Sequence, residues 1–326
     1  MRTYSLKPFL ATFFLAPLLT PQLLPAQTLP DPVRASENLP STPTLSPAAE
    51  DSTSTSRRAS LEDENQFAPD TPGDHDIGQQ LILKRNEQIE SFRVWLNSSA
   101  FWTSNVGNTY ANELDDWFLT ATAGAGWQPR ISRRIFGDVY VSQNWYLYDE
   151  FDILDYQLGE AAAGVLMVMP ELGNSLLHLH YIFQRVTAEI DDDAFYQSHL
   201  IRAGIQKTFL INRLNSVNIG GMASFALDTD PSVLQRHEYT ALLGYNFKIT
   251  RALIFNLNYR VTYYDYFNLF GRHDWYQNFG ASLTWSPYKY LDLVASYNFA
   301  LNRSNEGVFD YDTHLAGPSI SLRFKF

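Results

Sequence analysis

The chain has 326 residues, a formal net charge of −11, 15 % aromatic residues, 18 % charged residues and no cysteine. The absence of cysteine excludes disulfides, thiolate metal ligands and a lipidated cysteine behind a leader, and it suits passage through an oxidising compartment. The acidic balance argues against nucleic acid as a partner.

Met1–Ala26 reads as a secretory signal. Arg2 and Lys7 precede a short apolar run, Phe9–Leu19, and small Ala26 offers a cleavage residue. The run is too short to span a bilayer and Pro17 interrupts it, so a removable signal is expected rather than an anchor. No other segment comes near eighteen consecutive apolar residues, so any membrane crossing must be made by strands. Residues 27–76 are rich in Pro, Ser, Thr, Asp and Glu and nearly lack aromatics. Such a stretch cannot bury enough apolar surface to offset the entropy of ordering, so a disordered linker is expected. Residues 77–91, centred on Ile77–Ile89, fit a short helical lead-in; a plug or docking element is the sharper alternative.

From Phe92 to Phe326 the chain reads as strand, turn, strand without a convincing helix. About twelve runs with a period of two are predicted. They lie near Phe92–Trp102, Trp117–Trp127, Phe136–Tyr148, Tyr156–Met169, Leu176–Val186, His199–Phe209, Val217–Leu227, Tyr239–Ile249, Leu253–Tyr264, Trp275–Trp285, Leu291–Asn302 and Leu315–Phe326. In the second run Trp117, Leu119, Ala121, Ala123, Ala125 and Trp127 share one face, with a Trp at each end. Two aromatic girdles around a lipid-facing band produce this pattern. The final run puts Ala316, Pro318, Ile320, Leu322, Phe324 and Phe326 on one face and Gly317, Ser319, Ser321, Arg323 and Lys325 on the other.

The connections alternate in length and charge. Short ones (Gln128–Arg134, Pro170–Ser175, Leu210–Ser216, Thr250–Arg251, Ser286–Tyr290) are basic, and long ones (such as Asp149–Asp155 and Ala188–Gln197) are acidic. With a periplasmic N-terminus, every short turn falls on the periplasmic side and every long loop outside. The expected fold is therefore all-β: a closed antiparallel up-and-down transmembrane β-barrel of about 12 strands over residues 92–326, preceded by a periplasmic linker.

These features together resemble the bacterial outer-membrane β-barrel proteins. The resemblance is carried by the signal-like Met1–Ala26, the aromatic-capped strands and the terminal SLRFKF ending in Phe326. It covers Phe92–Phe326 and concerns architecture. It implies residence in the outer membrane among lipid and lipopolysaccharide, and recognition of Phe326 by the barrel-insertion machinery. Barrels of this size in that class include small-solute channels, a phospholipase and secretion pores, so fold leaves function open.

The expected function is passive passage of small hydrophilic solutes, with no cofactor and no metal. The lumen or constriction candidates are Arg93, Glu160, His178, His180, Arg202, Arg260 and Arg323. Arg202 and Arg260 with Glu160 would form a charged constriction, or internal salt bridges would brace a narrow barrel. His178 and His180 share a face opposite Leu177, Leu179, Tyr181 and Phe183, which points them inward; a wet-lumen role outweighs a metal or pH-sensitive one. A non-conducting scaffold acting through acidic loops or the linker is the alternative. A lipid hydrolase is disfavoured because Ser198 and His199 point to opposite faces, as do His314 and Ser319 or Ser321. The acidic clusters Asp149–Asp155 and Asp191–Asp193 could bind divalent cations, although a solvated loop is the simpler reading.

Overall fold

The computed structural model describes residues 91–188, 194–269 and 271–326. The expected signal, linker and helical lead-in up to residue 90, and the Asp191–Asp193 triplet, lie outside these residues. Twelve strands follow in order: β1 (Phe92–Thr103), β2 (Asp116–Trp127), β3 (Ile135–Tyr148), β4 (Tyr156–Met169), β5 (Ser175–Ala188), β6 (Ala194–Leu210), β7 (Asn215–Asp230), β8 (Arg236–Lys248), β9 (Leu253–Tyr266), β10 (His273–Tyr288), β11 (Leu291–Ser304) and β12 (Tyr311–Lys325). Each pairs antiparallel with its sequence neighbours, and β1 pairs with β12, so the sheet closes. Closure leaves no strand edge without partners, which a wall in hydrocarbon requires. The two ends of the barrel chain meet at the seam, where the Phe92 N–H donates to the Phe326 carbonyl at 3.1 Å and the Phe326 N–H to the Phe92 carbonyl at 2.9 Å.

The period-two pattern sorts side chains as the sequence implied. Leu96, Leu119, Val141, Leu179, Leu243, Leu257 and Ile320 face outward and are exposed. An apolar belt of this kind has no reason to form in water and every reason to form against lipid. Trp117 and Trp127 close its two ends on β2, and Trp275 and Trp285 do the same on β10. Inward positions hold the polar residues, with aromatics among them. Gly124 faces inward beside Trp95, and a Cβ there would run into the indole; glycine lets the ring lie against the wall.

Several strands run further outward than predicted. β6 starts at Ala194 rather than near His199, β7 continues to Asp230, β8 begins at Arg236 and β12 at Tyr311. The outer connections are accordingly shorter than the sequence suggested, 231–235 and 267–272 among them, and several turn through short 3₁₀ segments such as Ser232–Leu234 and Gly307–Phe309. The reason is that pairing continues past the lipid belt. Asp, Arg and Glu there looked like loop residues, yet they sit in hydrogen-bonded ladders above the bilayer.

Candidate functional site

The lumen has two unlike walls. On β1–β6 and β12 the inward positions of the outer half carry Phe101, Phe118, Tyr146, Tyr156, Leu158, Val186, Tyr196 and Leu315, which form one buried cluster. Tyr146 and Tyr156 stack with ring centres 4.2 Å apart. On β8–β12 the inward positions of the middle and inner part carry short neutral polar groups: Thr240, Asn256, Asn258, Thr262, Asn278, Gly280, Ser282, Ser296, Asn298, Ser319 and Ser321. These hydrogen-bond across strands, Thr240 with Thr262 at 2.9 Å and Asn256 with Ser282 at 3.3 Å. Gly280 pairs with Asn258 on one side and Asn298 on the other, and a Cβ at that position would collide with both amides.

All seven candidates from the sequence occupy inward positions. Arg93 and His180 meet at Asp138: Arg93 Nη2 donates to Oδ1 at 2.6 Å, and His180 Nε2 lies 2.9 Å from Oδ2. Asp138 is 0 % exposed, so these partners replace the water a carboxylate otherwise holds. The His178 and His180 rings lie 5.8 Å apart. His180 packs over Gly164 and His178 over Gly204, positions where a Cβ would come within 2.6 and 2.5 Å of the respective ring. Arg323 pairs with Asp292, which also accepts from Ser286.

The three charged residues singled out in the sequence each have polar partners in the lumen. Glu160 accepts from Tyr140 Oη at 2.7 Å and from Gln184 Nε2 at 2.8 Å. Arg202 Nε donates to Ser224 at 3.0 Å. Arg260 donates to Tyr276 Oη at 3.4 Å and lies 5.2 Å from the centre of that ring. Both arginines stand near the middle of their strands, Arg202 on β6 and Arg260 on β9 between Asn258 and Thr262 of the polar wall.

Above Arg260 lies an arginine–tyrosine stack that the sequence reading missed. The Arg236 guanidinium lies 4.7 Å from the Tyr264 ring and 5.5 Å from Tyr266. Arg272 lies 4.5 Å from Tyr266 and 3.4 Å from Phe309, and it grips Asp274 with two nitrogens at 2.6 and 2.9 Å. Arg236, Arg272 and Asp274 fall outside the predicted runs Tyr239–Ile249, Leu253–Tyr264 and Trp275–Trp285. Extending the alternation Arg236, Glu238, Thr240 and Tyr264, Tyr266 past the charged residues would have found them.

The acidic outer loop is partly a structural device. Asp155 accepts from the Tyr148 amide at 2.7 Å, and Asp116 from the amides of Glu150 and Phe151 at 3.2 and 3.4 Å. At the inner turns, Glu171 accepts from Arg134 at 2.5 Å. Its own backbone amide, joined by this arginine, lowers its pKa below the usual carboxylate range. Among the described residues no group of three or more His, Cys, Asp or Glu is placed to hold a metal. No hydroxyl among them hydrogen-bonds His178 or His180, and buried Ser198 faces inward while His199 faces out.

A closed twelve-strand barrel with an apolar aromatic-capped exterior and a polar interior is the outer-membrane β-barrel class. No protein-family model and no curated protein matches the sequence. Solved structures do. An outer-membrane channel from Pseudomonas putida F1 superposes with a TM-score of 0.54 at 10 % identity, covering 72 % of this chain and 96 % of that one. The outer-membrane channel DcaP of Acinetobacter baumannii gives 0.41 at 11 % identity, covering 72 % and 96 %. The translocator domain of the autotransporter NalP from Neisseria meningitidis gives 0.38 at 10 %, covering 85 % and 97 %. At such identity the first likeness is one of fold.

Proposed function

We propose that the barrel is a porin-like passive channel for small hydrophilic solutes, acting on them by no chemistry. The observation that carries this reading is the asymmetry of the lumen. Large rings crowd the outer half, and in the middle and inner part the inward positions of β8–β12 are mostly Ser, Thr, Asn and Gly. The half-buried Thr240, Asn256, Asn258, Ser282, Ser296, Ser319 and Ser321 offer a solute hydrogen bonds in place of water while occupying little of the bore, with buried Thr262, Asn278 and Asn298 packed among them. Arg260 within this wall and Arg202 on β6 stand near mid-depth and bias the path toward anions. Arg93, Glu160, His178, His180 and Arg323 complete the lining as bracing and polar groups. A twelve-strand barrel lies between side-chain-filled barrels and open porins, so the conduit is narrow.

The runner-up is a non-conducting scaffold, favoured by the aromatic cluster in the outer half of the lumen. In either case the partners are outer-membrane lipid and lipopolysaccharide and the insertion machinery reading Phe326. Reconstitution of folded protein into planar bilayers decides between the two. Discrete conductance steps are expected; a silent bilayer with heat-modifiable, correctly folded protein would sink the channel reading and leave the scaffold.

A further inference from the structure

The outer face of the barrel carries one side-chain arrangement twice, on strands far apart in sequence. Tyr181 and Phe183 are the seventh and ninth residues of β5, and Tyr297 and Phe299 are the seventh and ninth of β11. Across from each Phe, on the returning strand, stands a histidine: His199 opposite Phe183, and His314 opposite Phe299. The ring separations repeat, 4.9 and 4.8 Å for Phe to His and 6.0 and 6.0 Å for Tyr to His. The hydrogen bond repeats as well, between the Tyr hydroxyl and His Nδ1 at 2.6 and 2.7 Å. Both tyrosines are exposed on a wall that otherwise presents hydrocarbon.

The geometry admits the phenol as the donor to Nδ1, which places the imidazole hydrogen on Nε2. In that tautomer each histidine offers a donor from a pre-oriented ring, held beside an aromatic face and a hydroxyl. Such a donor has no partner in alkyl chains, so its place on the lipid side calls for a polar headgroup. Depth agrees, because the His314 N–H bonds Ser104, just beyond the outer end of β1, at 2.9 Å. An arginine follows on the same outward face of each strand: Arg185 two residues past Phe183, and Arg303 four past Phe299, the latter pairing with Asp312 at 2.8 Å.

We propose that these are two sites for the phosphate groups of lipid A in the outer leaflet. Nε2 of His199 or His314 donates to a phosphate oxygen; Arg185 supplies positive charge beside the first, while beside the second Arg303 is already paired with Asp312. Asp228, the register partner of His199, opposes an anion there and gives a second handle on the site.

The test uses the folded full-length barrel in detergent with EDTA, titrated with purified bis-phosphorylated lipid A. Binding is read from the shift in thermal unfolding midpoint and from lipid phosphate retained after gel filtration. The His199→Phe/His314→Phe protein should bind about tenfold more weakly. Tyr181→Phe/Tyr297→Phe, which keeps the rings, should fall between, and Asp228→Asn should bind more tightly. Equal affinity for dephosphorylated lipid A, or for phosphatidylglycerol, would overturn the assignment, as would unchanged binding by the histidine variant. If the histidine variant fails to fold, the tyrosine pair and Asp228→Asn decide by the same readouts.

Discussion

Asp138 is the clearest place to test the lumen network. It is 0 % exposed and bridges Arg93 at 2.6 Å and His180 at 2.9 Å. Arg93 is itself buried, and among the described residues its Nε and Nη1 have no hydrogen-bond partner. Asp138→Ala would thus leave a guanidinium in a dry site with its counter-charge removed. Breaking a buried pair from one side costs about 3–5 kcal/mol, whereas replacing both partners by apolar groups is often close to neutral. Water entering the emptied site screens part of the charge, so about 2–4 kcal/mol is expected for Asp138→Ala, and about 1 kcal/mol or less for Arg93→Met/Asp138→Leu. The assay is equilibrium urea unfolding in lipid vesicles, followed by tryptophan fluorescence, with all variants at the same pH. If the single and double variants lose equal stability, charge coupling is not what holds this corner, and the account of the lumen as a braced wall fails.

Four further outcomes are expected. Arg260→Glu in reconstituted channels should move the zero-current potential in a salt gradient toward cation preference, with little change in unfolding; an unmoved potential would remove Arg260 from the path. Gly280→Gln should cut single-channel conductance by at least half, because a side chain there must displace Asn258 and Asn298; unaltered conductance would put the conduit elsewhere. Deleting Phe326 removes both hydrogen bonds to Phe92 at the seam. It should slow appearance of the heat-modifiable folded form in cells while leaving refolding into vesicles largely intact; equal rates in cells would argue against recognition of the terminal aromatic. The lowered pKa of Glu171 favours its charged form, so the Arg134–Glu171 contribution is present above the ordinary carboxylate pKa and lost as pH falls through the folded value. Both groups are exposed, so Arg134→Ala should leave the unfolding midpoint at pH 7 unchanged within error; a large drop would contradict the exposed geometry.

Much of the barrel was legible because lipid imposes a simple rule on alternating strands. Trp117 and Trp127 at the ends of one apolar face, and the phase of Phe324 and Phe326, place lipid on one side of the chain and Arg323 and Lys325 on the other. The inward placement of His178 and His180 followed from Leu177 and Leu179 by the same rule. What failed was the reading of charge as loop. Arg236, Arg272 and Asp274 are strand or rim residues whose charges are met by Glu238, by tyrosine rings and by each other. Charge marks departure from lipid, which is a different event from the end of a hydrogen-bonded ladder.

Sequence alone determined the strands, their inward and outward faces and the lipid belt. Each depends on residues a few positions apart, and a period of two is local information. The joining of Arg93 to Asp138 and His180, the hydrogen bonding of Glu160 by Tyr140 and Gln184, and the gathering of rings in the outer half of the lumen above small polar groups on β8–β12 were decided by tertiary structure. Those depend on the register of each strand against its neighbours, set around the whole closed barrel, and on which inward side chains that register brings to one level.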